Sequence, residues 1–557
     1  MTAALCLCLL FLLTPWGQRV YSGIEQTLSR FASRRVLASF VLFASVIAVR
    51  LVALRLLPVP VPGLHDEFSY LLMADTFVHG RLANPPHSLW ISFETFHVNW
   101  FPTYSSIYPP VQGFFLAIGQ VMGNPWIGVL LSCAILCAAI FWALQAWMPS
   151  RWAFLAAAVV ALKFGITSYW INSYWGGAAA AIGGALVLGG LGRLRRSARA
   201  GDAVLLVLGI AILANSRPYE GFFFCLPMAV TFLFWMIGEF RSNGRTTSRP
   251  WNALVPVSCG LLLTFAFIGF YNWRLTGNAL LFPHTVSERA YEVTPLFLWQ
   301  SPRPPIHYNN SVFESFYNTF QRSYYQPNFR HAWQVSKEKI GRLRITYFWP
   351  GALLLLPALP LALRDRKLRL FWVTLAVVTT AMFAVVWSQS HYAAPLTCVV
   401  YGLLVQCIRY LRTMRLANLR VGVAMSRAVI LFLVLDIATN LCYRVCDPLP
   451  FSCGKTLQRA ALAEKLRHIP GKHLVVVRYA PTHNLDNEWV YNGAEIDAAK
   501  VLWARELAPE QNANLFAYFK DRKIWLVMPD NDNSRLEAYA PELRARKTAP
   551  DKTRNDP

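Results

Sequence analysis

Charge is scarce in this sequence: only 15% of its 557 residues are Asp, Glu, Lys or Arg, while 55% are hydrophobic. Soluble domains carry about 25% charged residues, so the chain lies outside the usual soluble range. Acidic residues are scarcer still, 29 against 53 Lys and Arg, for a formal net charge of +24. No Cys-x-x-Cys pair or His/Cys cluster is present, which removes the usual zinc signatures. A glycine-rich phosphate loop is also missing, so nucleotide binding through that device is unsupported. No repeat of fixed period is visible. The opening MTAALCLCLLFLL has no basic n-region and is apolar for only about twelve residues, a poor signal peptide and a marginal span. Residues 1–35 therefore read as a cytoplasmic N-terminal segment with a possible extra helix.

What the sequence does have is long apolar runs. Windows of roughly 17 to 22 residues, the length a helix needs to cross about 30 Å of hydrocarbon, recur along the chain. They fall at 36–57, 125–147, 152–169, 177–194, 203–214, 221–238, 253–272, 346–363, 370–387, 393–410 and 428–444, about eleven in all. The excess positive charge is an orientation signal and not a nucleic-acid footprint. Basic residues gather in alternate connections, RFASRR (30–35), RLRRSARA (193–200), RSNGRTTSR (241–249), RDRK (364–367) and RYLRTMRLANLR (409–420). The positive-inside rule makes that side cytoplasmic. Asp66, SYWINSYWGG (168–177), NSRPYEG (215–221), residues 273–345, SQSHYAAP (388–395) and the C-terminal tail then emerge on the outer face. The expectation is a multi-pass membrane protein, N-terminus inside and C-terminal domain outside.

The membrane core spans 36–444, with outer loops at 58–109 and 273–345, and apolar content drops after 445. There KHLVVVRY (472–479) and KIWLVMPD (523–530) predict buried strands, with helices near AEIDAAKVLWAREL (494–507) and QNANLFAYFKD (511–521), a small α/β domain with a disordered end. Most of the eleven cysteines sit singly in apolar runs as small core residues; Cys446 and Cys453 are the candidates for a disulfide.

Chemistry concentrates in the first outer loop. Pro60, Pro62 and Gly63 break the chain, and EFSYLLMADTFVHG then shows helical spacing up to Gly80. Asp66 suits a helix N-cap, and an acidic first turn suits the helix dipole. The sharper reading makes Asp66 a general base at the bilayer surface, with Glu67 in support. Downstream, Glu94, His97, Tyr104 and Tyr108 precede the rigid Pro109–Pro110 pair, a set that suits either sugar rings or a membrane interface. Glu94 and His97 on one helical face make a divalent metal conceivable, yet only two ligands. Arg217 stands with Tyr219 and Glu220 in a short outer turn, where a cation suits a lipid phosphate. Arg50 and Lys163 lie within or near apolar spans, and His391 and Tyr392 open a later one.

These residues carry a resemblance. A first span, then HDEFSYLLMADTF (65–77), then YPPVQGFFLAIG (108–119) and many further spans resemble the membrane glycosyltransferases of the GT-C fold. Glycosyltransferase family 39, the aminoarabinose transferases of lipid A and the protein O-mannosyltransferases are the related groups. The resemblance covers about 36–410 and is strongest over 64–119. It implies a polyprenyl-phosphate sugar donor, inverting transfer to a lipid, glycan or protein acceptor, and Asp66 as catalytic base beside Glu67. One departure stands out: many members place a lysine before the second-motif prolines, where this chain has Ile107 and Tyr108. Donor phosphate then falls to Arg217, Arg50 or a basic residue of the second loop such as Arg289, Arg303 or Arg322. Two other classes compete, a lipid or solute transporter and a non-catalytic scaffold. Transporters favour repeated halves with a midplane site, whereas here the polar residues gather in outer loops.

Overall fold

The computed structural model describes residues 14–241, 249–325, 328–415, 421–446, 454–531 and 535–539. Apolar runs become helices because hydrocarbon offers no partner for backbone N–H and C=O, so each segment must satisfy its own. Among the described residues, eight helices are long and apolar enough to cross a membrane: Arg35–Arg55, Pro125–Leu144, Ala178–Ser197, Pro218–Arg241, Pro250–Thr276, Arg366–Ala384, Ser390–Leu411 and Val421–Cys442. A ninth candidate is broken, with Arg330–Tyr347 and Pro350–Arg364 meeting at 96°. The break falls where Pro350 lacks the N–H that a continuous helix needs.

The sequence count of about eleven differs for local reasons. Window 152–169 gives Ser150–Phe164 and window 203–214 gives Ala200–Ala214, each 15 residues long. At about 1.5 Å per residue these fall short of the hydrocarbon thickness. The possible extra helix near residues 3–14, the Cys446–Cys453 pairing and the C-terminal end fall outside the described residues and side chains.

Helices pack closely where small residues allow it. A Cβ at Gly184 would lie 2.2 Å from the Pro395 carbonyl, so Ala178–Ser197 and Ser390–Leu411 meet backbone to backbone. The first span finishes at the end of the bundle where Pro125–Leu144 and Ala178–Ser197 both start. Arg50 near the end of the first span covers Trp126 at the start of the next, and Tyr174, just before Ala178–Ser197, meets Glu67. One end of the bundle therefore carries Asp66, and the basic connections lie at the other.

A short hairpin, β1 (Val98–Asn99) with β2 (Ser105–Ser106), follows the Asp66 helix. The C-terminal unit is a sheet of β3 (Lys472–Val477), β4 (Val501–Arg505), β5 (Arg522–Val527) and β6 (Glu537–Ala538), in the order β4-β3-β5-β6. β3 runs parallel to both β4 and β5, and β6 is antiparallel to β5. The expected strands 472–479 and 523–530 are present, but the helix expected over 494–507 is not. Val501–Arg505 is instead a strand buried on both faces, whose unbroken apolar run has no period to separate it from a helix. One face of the sheet (Leu474, Val476, Leu502, Leu526) packs on Leu72, Phe93, Val98, Trp100 and Tyr104 of the first loop. The other (Val475, Val477, Val527) packs on Leu466 and Trp489.

Candidate active site

The helix His65–Val78 begins after Pro60, Pro62 and Gly63 have ended the preceding run. Its first-turn N–H groups need acceptors from outside the helix. The Leu64 carbonyl accepts the Glu67 N–H, and the Glu67 carboxylate reaches back to the residues just before the helix, accepting the N–H groups of Gly63 (2.8 Å) and Leu64 (3.0 Å) and, through the other oxygen, that of Tyr174 (2.9 Å). Only 1% exposed, Glu67 fastens the start of this helix to the 168–177 turn. Burial pushes its carboxyl up to about 7 against the pull of those donors.

Asp66 has the opposite environment. It is partly exposed, and its carboxylate accepts a hydrogen bond from the Tyr108 hydroxyl. Tyr108 is held for this by stacking on Tyr70, with ring centroids 4.5 Å apart, and by donating its N–H to Ser106 Oγ at 3.2 Å. Ser69 ties the same hairpin to the Asp66 helix through Ser106 Oγ (2.7 Å) and the His97 carbonyl (2.6 Å). His97 adopts φ 59°, and its ring centre lies 5.8 Å from those of both His65 and Tyr108. Desolvation lowers it to about 4, so a neutral imidazole stands beside Asp66 at neutral pH.

The cation of the site is Arg217. Its guanidinium lies 4.0 Å over the Tyr392 ring, and Arg217 and Asp66 both lie within electrostatic reach of Tyr70 and Tyr392. Among the described residues it has no carboxylate within 4.0 Å, although Glu220 is near. It directly precedes Pro218–Arg241, and a helix N-terminus adds a positive dipole end to the cation. Partly exposed Asp66, His97, Tyr108, Arg217 and Tyr392 are thus neighbours, backed by buried Glu67, Tyr70, Glu220 and His391. His391 is set by Tyr169, whose hydroxyl is 3.1 Å from Nδ1.

Other residues singled out in the sequence lie elsewhere. Arg50 is fully buried and donates to the carbonyls of Leu57 (2.8 Å) and Pro58 (3.2 Å), closing the turn after the first span. Lys163 meets the Phe348 carbonyl and Asp436. Arg303 donates to the Glu288 carbonyl at 2.6 Å. Tyr219 reaches the Ala381 carbonyl (3.0 Å), joining two spans. Tyr104 stacks on Trp100 and donates to the Asn492 carbonyl at 3.1 Å. Glu94 follows the short helix Trp90–Phe93, so it shares no helical face with His97. Its carboxylate accepts from Tyr291, Asn309 and Asn310, and it borders a second cavity of about 270 Å³ with Trp90, Trp100 and His307. Among the described residues no three His, Cys, Asp or Glu side chains are grouped to hold a metal.

Sequence reasoning did not anticipate the C-terminal contacts on the Asp66 helix. The imidazole of His65 lies 2.7 Å from the Leu485 carbonyl. Phe68 stacks on Tyr491 at 4.3 Å. Asp75 accepts the N–H of Ala494 (2.7 Å) and the amide of Gln120 (2.8 Å). Behind them Arg505 pairs with Glu488 at 2.5 Å, both fully enclosed. Nothing in the sequence marks the pairs His65–Leu485 and Asp75–Ala494, which lie 420 and 419 residues apart.

No protein-family model and no curated protein matches the chain. Among solved structures it is similar to the oligosaccharyltransferase of Archaeoglobus fulgidus tethered to an acceptor peptide, at 12% identity over 87% of this chain and 69% of that one, with a TM-score of 0.41. The same archaeal enzyme, AglB, in complex with an inhibitory peptide and a dolichol-phosphate, matches at 12% identity over the same shares, TM-score 0.39. ArnT of Cupriavidus metallidurans in the apo state matches at 12% identity over 87% of this chain and 92% of that one, TM-score 0.44. Both enzymes are glycosyltransferases of the GT-C fold, the group that the sequence resembles.

Proposed function

We propose that this protein is a membrane glycosyltransferase that moves a sugar from a polyprenyl-phosphate donor to a lipid, glycan or protein acceptor, with inversion, on the outer face of a bacterial cytoplasmic membrane. The observation that carries the proposal is the pairing of a partly exposed carboxylate, Asp66, with a cation, Arg217, that has no carboxylate within 4.0 Å among the described residues, across the same two tyrosines at one end of the bundle.

The chemistry needs little more. A sugar phosphate already carries a competent leaving group, so the site must activate an acceptor and receive the phosphate charge. Asp66 takes the proton from the acceptor group, whose lone pair forms the new bond to the anomeric carbon. The bond from that carbon to the phosphate oxygen breaks, and its electron pair leaves with the polyprenyl phosphate. Arg217 and the N-terminus of Pro218–Arg241 receive that charge. Attack from the side opposite the leaving group inverts the centre. Tyr108 orients the base, and Glu67 is a positioning residue that fixes the turn from which Asp66 projects.

The test is to incubate purified protein with a panel of radiolabelled polyprenyl-phosphate sugars. Label should leave one lipid with the wild type, and Asp66→Asn should lower that rate by about 10² to 10⁴. Retention of every label by folded wild-type protein refutes the proposal.

A further inference from the structure

A cavity of about 1300 Å³ lies at the end of the bundle away from Asp66. It opens where Pro125–Leu144, Ala178–Ser197 and Ser390–Leu411 finish and Arg366–Ala384 starts. A 20-residue helix, about 30 Å long, separates it from the sugar-transfer site. Its rim carries Arg195, Arg196, Arg366, Lys367, Arg369 and Arg409 against one acid, Asp365. Asp365 is already engaged, accepting the Lys367 N–H at 2.9 Å and the Tyr410 hydroxyl. Among the described residues none of the six cations has a carboxylate within 4.0 Å. Arg409 donates to Gln406 Oε1 at 2.6 Å and lies 5.8 Å from the Trp152 ring, and nearby Arg193 lies 4.0 Å over the Trp142 ring and donates to the Trp142 carbonyl.

The orientation rule explains why basic residues lie at this end, but not why six of them ring a hollow between helices. Below the rim the wall is apolar, formed by Leu226, Val230 and Val373, which are 43, 45 and 49% exposed. Pro227 interrupts the hydrogen-bond ladder of its helix beside them. Trp147 and Trp235 stand in the same lining, a residue type that favours the headgroup level. A cationic rim above an apolar, laterally exposed wall matches a molecule with an anionic head and hydrocarbon tails. Basic pockets between spans at the cytoplasmic side bind such headgroups.

We propose that this cavity holds the phosphate headgroup of an anionic phospholipid from the surrounding leaflet, its acyl chains lying along Leu226, Val230 and Val373. The proposal is independent of the chemistry at Asp66.

The test uses the full chain reconstituted in nanodiscs of phosphatidylcholine with graded phosphatidylglycerol, with co-purified lipid counted by native mass spectrometry. Phosphatidylglycerol should be retained well above its bulk share. The triple change Arg195→Gln, Arg196→Gln, Arg369→Gln should weaken retention about 100-fold, at roughly a factor of five per charge. The matching triple Arg→Lys variant should keep it, which separates charge from folding. Equal retention of the two lipids by wild type overturns the proposal, as does a folded Gln variant that retains phosphatidylglycerol normally. Displacement by inorganic phosphate at the same concentration would assign the cavity to a free anion and likewise overturn the lipid assignment.

Discussion

The hydroxyl of Tyr108 donates to the carboxylate of Asp66 across 42 residues of sequence. That contact joins the two stretches of the first loop carrying the family resemblance, and it separates the roles of the acidic pair. Asp66 faces a lined surface, while Glu67 turns inward to three backbone N–H groups.

Tyr108→Phe keeps the stacking on Tyr70 but removes the donor. A hydrogen bond to a charged group contributes about 1.5–3 kcal/mol, so kcat should fall roughly tenfold or more with donor KM little changed. Steady-state kinetics with a labelled donor give that split; a rise in KM alone would contradict the orienting role.

Glu67→Gln should act on stability first. The folded carboxyl is raised from 4.5 to about 7 by burial, so the fold holds this proton more tightly than the unfolded chain does. That contribution is fully present below about pH 4.5 and is lost as pH rises through about 7, a span worth about 3 kcal/mol. Thermal unfolding of wild type should show this slope, and Glu67→Gln should flatten it. Glutamine also turns an amide toward N–H groups that need an acceptor, so the variant should unfold earlier at neutral pH.

Arg217→Ala should raise donor KM and slow transfer by about 10- to 100-fold through loss of a charge-assisted phosphate contact. Arg217→Lys restores the charge without the planar fork, and should recover only part of the activity. Donor titrations with both variants check the order Arg, Lys, Ala.

Asp75→Ala removes the acceptor that ties Ala494 to the Asp66 helix, and with it the Gln120 contact. Leaving these donors unsatisfied costs about 1–3 kcal/mol each. Hydrogen exchange over 485–495 should quicken, with the spans unchanged.

Much of the membrane part was legible because the bilayer imposes a single length and a single rule on backbone hydrogen bonds. Helix breaks were less so. Pro350 was visible, yet whether a proline bends a span or ends it depends on what packs around it. At the site, Asp66 and Glu67 stood out as acids in an apolar chain, but their division of labour did not. It rests on Tyr174 and Tyr108, more than 40 residues away, and on which face each acid presents. Tyr104 and Arg50 looked like ligand contacts because of their residue types; the structure uses both on backbone carbonyls.

Phe68 on Tyr491, Asp75 on Ala494 and Tyr104 on Asn492 make the C-terminal sheet a continuation of the first loop. It follows that this tail is no interchangeable module. A chimaera that grafts a foreign tail onto these spans has to bring residues 485–495 with it, or the shelf from which Asp66 projects loses its buttress.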